Sequence, residues 1–326
     1  MRCFLLNITI IIGIHLILIS AVDSIKPFYF ENAIFRKKME LMQSNCSDCN
    51  TYFLGSSFTH RHVNPDQFDS LLNTFDRTVP MKSFNLGAPG ATMLEILFIT
   101  KNLLNEDLIN PSSTLFIEVQ PIYTLDKILS ARHTYYRNPK DFNLVVGDVS
   151  IKNWSKQKMY KQYYSIAKYT FNAINGGLLS SIQPGNEQNL DELVNSSING
   201  YVGFEGYSKE LETNNRENKY QKNTVINDAT FYETFLQKLI SLDRIAKTKN
   251  VQIVYVLPSF SKSIINENDE LIKSLNSLEN FISMSNPIIY PELYLKENLF
   301  DRSHLNTQGA GYYTAYLADA YLELEQ

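Results

Sequence analysis

Two periods of apolar residues alternate along this chain. Short, mostly apolar runs occur at 51–54 ("TYFL"), 83–86 ("SFNL"), 114–119 ("TLFIEV"), 251–258 ("VQIVYVLP") and 287–290 ("PIIY"). Each is bounded by glycine, proline or polar residues, and each is too short for a helix, so each predicts a strand. Between them the period becomes helical. Phe68, Leu71, Leu72 and Phe75 recur at helix spacing behind a Pro65–Asp66 start signal. Leu94, Leu97, Ile99 and Leu104 mark a second helix, Phe231, Phe235, Leu239, Leu242 and Ile245 a third, and residues 266–282 a fourth. Ala310, Tyr313, Leu317, Ala320 and Leu324 mark the last one. Strands that alternate with helices predict a parallel sheet inside a three-layer α/β/α domain spanning 51–326. Such a sheet sends every strand's C-terminal loop to one edge. Ser57, Gly87, Gly90, Gln120 and the loop after residue 290 are therefore expected in one neighbourhood.

The pattern loosens between about 124 and 225, where Tyr-rich helical pieces alternate with Gly, Asn and Ser segments such as "NGYVGFEGYS". Irregular stretches of this length are uncommon without a purpose. This one predicts a helical and loop insertion that covers or shapes a site. At the other end, residues 3–22 are apolar apart from Asn7, Thr9, Gly13, His15 and Ser20, with Arg2 before them and Ala21 as a small cleavage residue. Residues 1–25 thus read as a signal peptide or an N-terminal membrane anchor, which places the protein outside the cytoplasm. Lys26, Arg36, Lys37 and Lys38 follow this span and outnumber Arg2, an opposite bias under the positive-inside rule. Residues 26–50 form a polar lead-in.

Composition narrows the function classes. The chain has 326 residues, 44% of them hydrophobic and 20% charged, which is enough for a large core. Its net charge of −4 offers no basic field for nucleic acid, so no nucleic-acid partner is expected. Any membrane contact is expected only through the N-terminal segment. Cys46 and Cys49 form a lone C-x-x-C. Zinc would need His60 and His62 as well, but H-x-H is not the usual second-pair spacing, so a local disulfide or two thiols is the favoured reading. "GAPGA" lacks the G-x-G-x-x-G spacing of a dinucleotide site. No cofactor and no metal are expected.

The candidate chemistry lies at the predicted sheet edge. "FDRSHLN" puts Asp301 three residues before His304, so both side chains can face the same way. A carboxylate on one ring nitrogen fixes the imidazole's tautomer and leaves the other nitrogen free to take a proton from a serine. A bland alternative is that Asp301 caps the last helix and pairs with His304. Gly55-Ser56-Ser57 ends the first strand, and Gly and Ser are also ordinary turn formers there. Ser56 is an alternative to Ser57, since sequence does not separate adjacent serines. Ser150, after "LVVGD", is a further but poorly placed candidate.

"LGSS", "NLGAPGAT" and "FDRSHLNTQGA" stand in the order, and at the strand ends, seen in the SGNH (GDSL-like) hydrolase superfamily. The chain resembles that family, particularly its exported members with Gly-Ser-Ser in place of Gly-Asp-Ser. The resemblance covers 51–123 and 226–324. It implies a flavodoxin-like five-stranded sheet and serine chemistry on an acyl ester, with carbohydrate as a candidate part of the substrate. It also implies Ser57 as nucleophile and Asp301 and His304 as the acid–base pair, with an oxyanion hole from the Ser57 and Gly90 amides. The family's third block, Gly-x-Asn-Asp, is absent. "EVQPIY" stands there, which leaves Gln120 as the substitute amide donor. Acyl transfer to an envelope polymer, and non-catalytic binding of a glycan or partner, are the alternatives to hydrolysis.

Overall fold

The computed structural model describes residues 27–29, 32–120, 198–207, 229–259 and 269–325, together with Ile10, Gly13 and Ile14. The rest of the N-terminal apolar segment, Ser150 and most of the insertion lie outside the described residues. Among the described residues no helix is long and apolar enough to cross a membrane.

In chain order the described elements are α1 (Ala33–Asn45), β1 (Thr51–Leu54), α2 (Ser57–His62), α3 (Pro65–Leu72), β2 (Ser83–Asn85), α4 (Met93–Asn105) and β3 (Thr114–Glu118). There follow α5 (Ala229–Thr248), β4 (Gln252–Leu257), α6 (Asp269–Leu275), β5 (Phe281–Ser283), two short 3₁₀ turns, and α7 (Thr307–Leu324). The strands form one sheet in the order β2-β1-β3-β4-β5, parallel at every pairing. This is an α/β domain compatible with a flavodoxin-like fold.

Strand alternation divides the core into two. Tyr52, Leu54, Leu115, Ile117, Ile253 and Tyr255 pack against Phe35 and Met39 of α1, Ile96 and Ile99 of α4, Leu239 of α5 and Leu271 of α6. Phe53, Phe116, Val254, Val256 and Ile282 point the other way, against Phe68 and Leu72 of α3 and Tyr313, Leu317 and Tyr321 of α7. Phe53 centres that second layer. Its ring lies 5.0 Å from Phe68 edge-to-face and 4.9 Å from Phe116, and such pairs add about 0.5–1.5 kcal/mol each beyond their burial. Asparagine side chains start α1, α3 and α7: Asn32, Asn64 and Asn306 each accept from an amide of the first turn.

Two expectations need correction. The lead-in 26–50 is not merely polar linker, because α1 fills 33–45 and buries Phe35, Lys38, Met39 and Met42. The last strand is not 287–290. That stretch forms a turn in which Ile288 is 88% exposed, while β5 lies at 281–283, overlapping the end of the span 266–282 expected to be helix. Pro287 and Pro291 bracket the apolar stretch and remove the donors a ladder needs. β5 is an edge strand that buries only Ile282, so it leaves almost no apolar run to detect. The helix before it stops at Leu275.

Cys46 and Cys49 are disulfide-bonded at the C-terminal end of α1. His60 and His62 point elsewhere: His60 Nδ1 meets Lys38 Nζ at 2.8 Å, and His62 Nε2 accepts from the Leu305 amide at 3.0 Å.

Candidate active site

β1 ends at Leu54, and Gly55 makes the turn into α2. A Cβ at Gly55 would collide with Thr59 Oγ1 and with the Glu118 carboxylate, so close approach of three segments requires glycine there. Ser56 is the N-cap of α2 and Ser57 its first residue. The two adjacent serines have different fates. Ser56 is 3% exposed, and its hydroxyl donates to Glu118 Oε1 at 2.6 Å. Ser57 is half-buried and faces the opposite loop, where its Oγ lies 2.8 Å from His304 Nε2.

Asp301 and His304 sit in a closed turn between the last 3₁₀ segment and α7. Phe300 and Asp301 both donate their amides to the His304 carbonyl. Asp301 Oδ1 accepts the amides of Ser303 and His304 at 2.7 and 2.8 Å, and its Oδ2 lies 2.8 Å from His304 Nδ1. Burial pushes the Asp301 carboxyl up, but the His304 ring and the two amides outweigh it and hold it below the usual carboxylate range. The cap of α7 is Asn306, so Asp301 is not the helix cap of the bland reading. With Nδ1–H directed at Asp301, Nε2 is the acceptor for the Ser57 hydroxyl. The three groups form an unbroken path along which a serine proton can pass to the imidazole.

Sequence reasoning overlooked Glu118, the last residue of β3. This carboxylate is 3% exposed and has no cationic partner among the described residues. It accepts instead from Ser56 N at 2.8 Å, Thr59 N at 3.0 Å and Thr59 Oγ1 at 2.6 Å on Oε2, and from the Ser56 hydroxyl and the Gln120 amide on Oε1. Glu118 thereby fixes the turn that presents Ser57. The only signal available from sequence was an acidic residue closing an otherwise apolar strand. At the far end of α2, His62 accepts the amide of Leu305, the residue after His304. One six-residue helix therefore carries Ser57 and also braces the histidine's loop.

Gly90 and Gln120 occupy the same edge. Gly90 has φ +75° and is exposed in the turn after β2, and the neighbouring Ala88 amide donates to the Gly55 carbonyl at 2.8 Å. Gln120 has its side-chain amide turned to Glu118. At the start of α2, the amides of Ser56, Phe58 and Thr59 are engaged, and that of Ser57 has no partner among the described residues.

The described part of the insertion, residues 198–207, packs directly on this edge. The Asn199 carbonyl accepts the Asn85 amide at 2.8 Å, and the Phe204 carbonyl accepts the Thr307 amide at 2.8 Å. Gly200 has φ +82°, and a Cβ there would run into the Asn85 carbonyl, so only glycine lets the segment lie this close. Phe204 meets the His304 ring edge-on at 5.8 Å and stacks on Phe300 at 3.9 Å. Phe58 lies 5.6 Å from the same imidazole. Below this layer are basic groups. Burial pushes the Lys38 amine and the His60 and His62 imidazoles well down, with neighbouring positive charges adding to the effect. Among the described residues no cluster of His, Cys, Asp and Glu is arranged to hold a metal ion. Comparison of the chain with protein-family models, curated proteins and solved structures found no match.

Proposed function

We propose that this protein is a serine esterase of the SGNH type that acts on an O-acyl ester outside the cytoplasm, on an envelope glycan or similar polymer. The observation that carries the reading is the relay from Ser57 Oγ to His304 Nε2 at 2.8 Å and from His304 Nδ1 to Asp301 Oδ2 at 2.8 Å. A serine converges with an aspartate–histidine pair more than 240 positions away, in the donor and acceptor order that nucleophilic catalysis needs. A parallel sheet in the order β2-β1-β3-β4-β5, with all three groups at its C-terminal edge, is consistent with the family resemblance. The apolar run over residues 3–22 supports export.

In this reading Ser57 Oγ attacks the ester carbonyl as its proton moves to His304 Nε2. Asp301 orients the ring and stabilises the imidazolium. Oxygen charge on the tetrahedral intermediate meets the unengaged Ser57 amide, with the Gly90 amide as second donor. Gln120 is the third, its carboxamide held beside Ser56 by their shared bond to Glu118 Oε1. Removing one such donor typically costs ~10²–10³ in rate. Collapse expels the alcohol, which takes the proton from His304. The acyl–Ser57 ester then passes its acyl group to water, or to a sugar hydroxyl if one occupies the site.

Fluorophosphonate labelling tests the proposal. Ser57 should displace fluoride and become phosphonylated, and mass spectrometry of the digested protein should place the adduct on residue 57. Ser57→Ala and His304→Ala should each abolish labelling without unfolding. A folded wild-type protein that resists the reagent would favour the non-catalytic binding alternative.

A further inference from the structure

We infer that the ester accepted at Ser57 carries an anionic group, a carboxylate or a phosphate, and that Arg61 binds it; this rests on the serine-esterase reading above. Arg61 lies four residues after Ser57 in α2, so the two side chains project from the same side of the helix. Arg61 is only 7% exposed. Its guanidinium donates to the Val202 carbonyl at 2.9 Å and lies 4.0 Å over the face of Phe204. The same ring meets His304 at 5.8 Å, so a single phenyl group separates the guanidinium from the imidazole.

Charged side chains this well buried are normally paired, yet among the described residues no carboxylate lies within ion-pair distance of Arg61. The acids of the site and of residues 198–207 are already engaged. Glu118 is saturated by Ser56, Thr59 and Gln120. Asp301 holds His304 and two amides. Glu205 accepts from the Thr307 hydroxyl at 2.9 Å. The other bases nearby do not compete for an anion, because burial disfavours charge on Lys38, His60 and His62. Burial lowers the Arg61 pKa as well, but from so high a starting value that the guanidinium stays protonated, and it offers five N–H donors in a planar fork. Only one bond, to Val202, is made to a described acceptor. A carboxylate or phosphate beside the scissile ester is the chemistry that this fork fits.

Two alkyl fluorophosphonates of equal chain length, one ending in methyl and one in carboxylate, test the inference by their second-order rates of reaction at Ser57. Wild type should react faster with the carboxylate probe by about 10- to 100-fold, the range of a charge-assisted bidentate contact. Arg61→Gln should bring the ratio near one, and Arg61→Lys, which keeps the charge but not the fork, should fall between. A third probe ending in phosphonate ranks the two anions. Since the readout is a ratio within one protein, a change in folded fraction does not move it. A wild-type ratio of one or less overturns the inference, as does an Arg61→Gln ratio equal to wild type; Arg61 would then only fasten residues 198–207 to α2. A wild type inert to every probe overturns the serine-esterase reading, and this inference with it.

Discussion

Replacing Glu118 by glutamine keeps the side chain's shape and removes its charge, and the structure sets the cost. Oε2 accepts three hydrogen bonds, two of them from the backbone amides of Ser56 and Thr59, and no amide nitrogen can take that place. The glutamine oxygen must therefore occupy the Oε2 position, and its NH₂ must occupy that of Oε1. There it can still meet the Ser56 hydroxyl, but it meets the Gln120 NH₂ donor against donor unless that carboxamide turns over. Every bond becomes neutral, and the one to Gln120 is lost or must be remade with the amide reversed. Hydrogen bonds to a charged group contribute about 1.5–3 kcal/mol each, against roughly 1 for neutral ones. Relief from burying a carboxylate offsets part of the loss, which leaves a net destabilisation of about 2 kcal/mol. The larger effect should fall on Ser57. Misplacing a reacting group by an ångström can cost about 10²-fold in rate, so inactivation by a fluorophosphonate should slow 10- to 100-fold per folded molecule. The loss should appear in the maximal inactivation rate, with the half-saturating reagent concentration unmoved, because the carboxylate acts through the serine's position and does not touch the reagent. Glu118→Gln reacting within about twofold of wild type, at a lowered melting temperature, would refute the assignment and reduce Glu118 to a structural group.

Ser57→Ala and His304→Ala should not be additive, because each removes the same proton transfer; the double variant should be within a few-fold of either single one in ester turnover. Asp301→Asn should be milder than His304→Ala, and equal losses would argue against an orienting role. Ser56→Ala should lower the melting temperature and keep residue 57 labelled, since the Ser56 hydroxyl is turned to Glu118; loss of the adduct in a folded Ser56→Ala protein would contradict the separate roles of the two serines. Burial in α5 pushes the Asp243 carboxyl up to about 6. The folded state then holds more protons than the unfolded one between pH 4 and 6, so this group lowers stability as pH rises through that window. A two-unit shift corresponds to roughly 3 kcal/mol, and solvent reaching the half-buried group trims it to about 1–2. Asp243→Asn should stabilise by that amount at pH 7 and by almost nothing at pH 4, as measured by urea unfolding; an equal effect at both values would mean that the charge is not the cause.

The sheet was legible where its strands are buried on both faces. The stretches 51–54, 114–119 and 251–258 are central and nearly all apolar, and they correspond to β1, β3 and β4 to within a residue at either end. Legibility failed at one edge. β5 needs only one inward residue, Ile282, whereas the exposed turn at 287–290 carries two isoleucines that mimic a buried strand. α1 was missed for a related reason: its buried face includes Lys38, whose amine bonds to the Asn85 carbonyl at 2.9 Å and to His60. Periodicity counts a lysine as solvent-facing, and only three-dimensional packing supplies the acceptors that let it turn inward.

The site divides along the same line. Ser57, Asp301 and His304, which the structure links in one chain of hydrogen bonds, could be named as candidates from sequence because proton transfer restricts the residue types and a strand end restricts the place. Glu118, Arg61, His62 and Phe204 could not, because each works through partners far away in the chain. Glu118 reaches back 62 positions to Ser56, and His62 forward 243 to Leu305. These longer connections have a mechanical consequence. α2 is six residues long, too short to hold its own direction, yet its first turn is tied to β3 through Glu118 and its last residue to the His304 loop through His62. Residues 198–207 close the remaining side through the Arg61–Phe204 stack. The distance between Ser57 and His304 is thus set by three separate elements pulling on one short helix. Loosening any of them should move the serine before it unfolds the sheet.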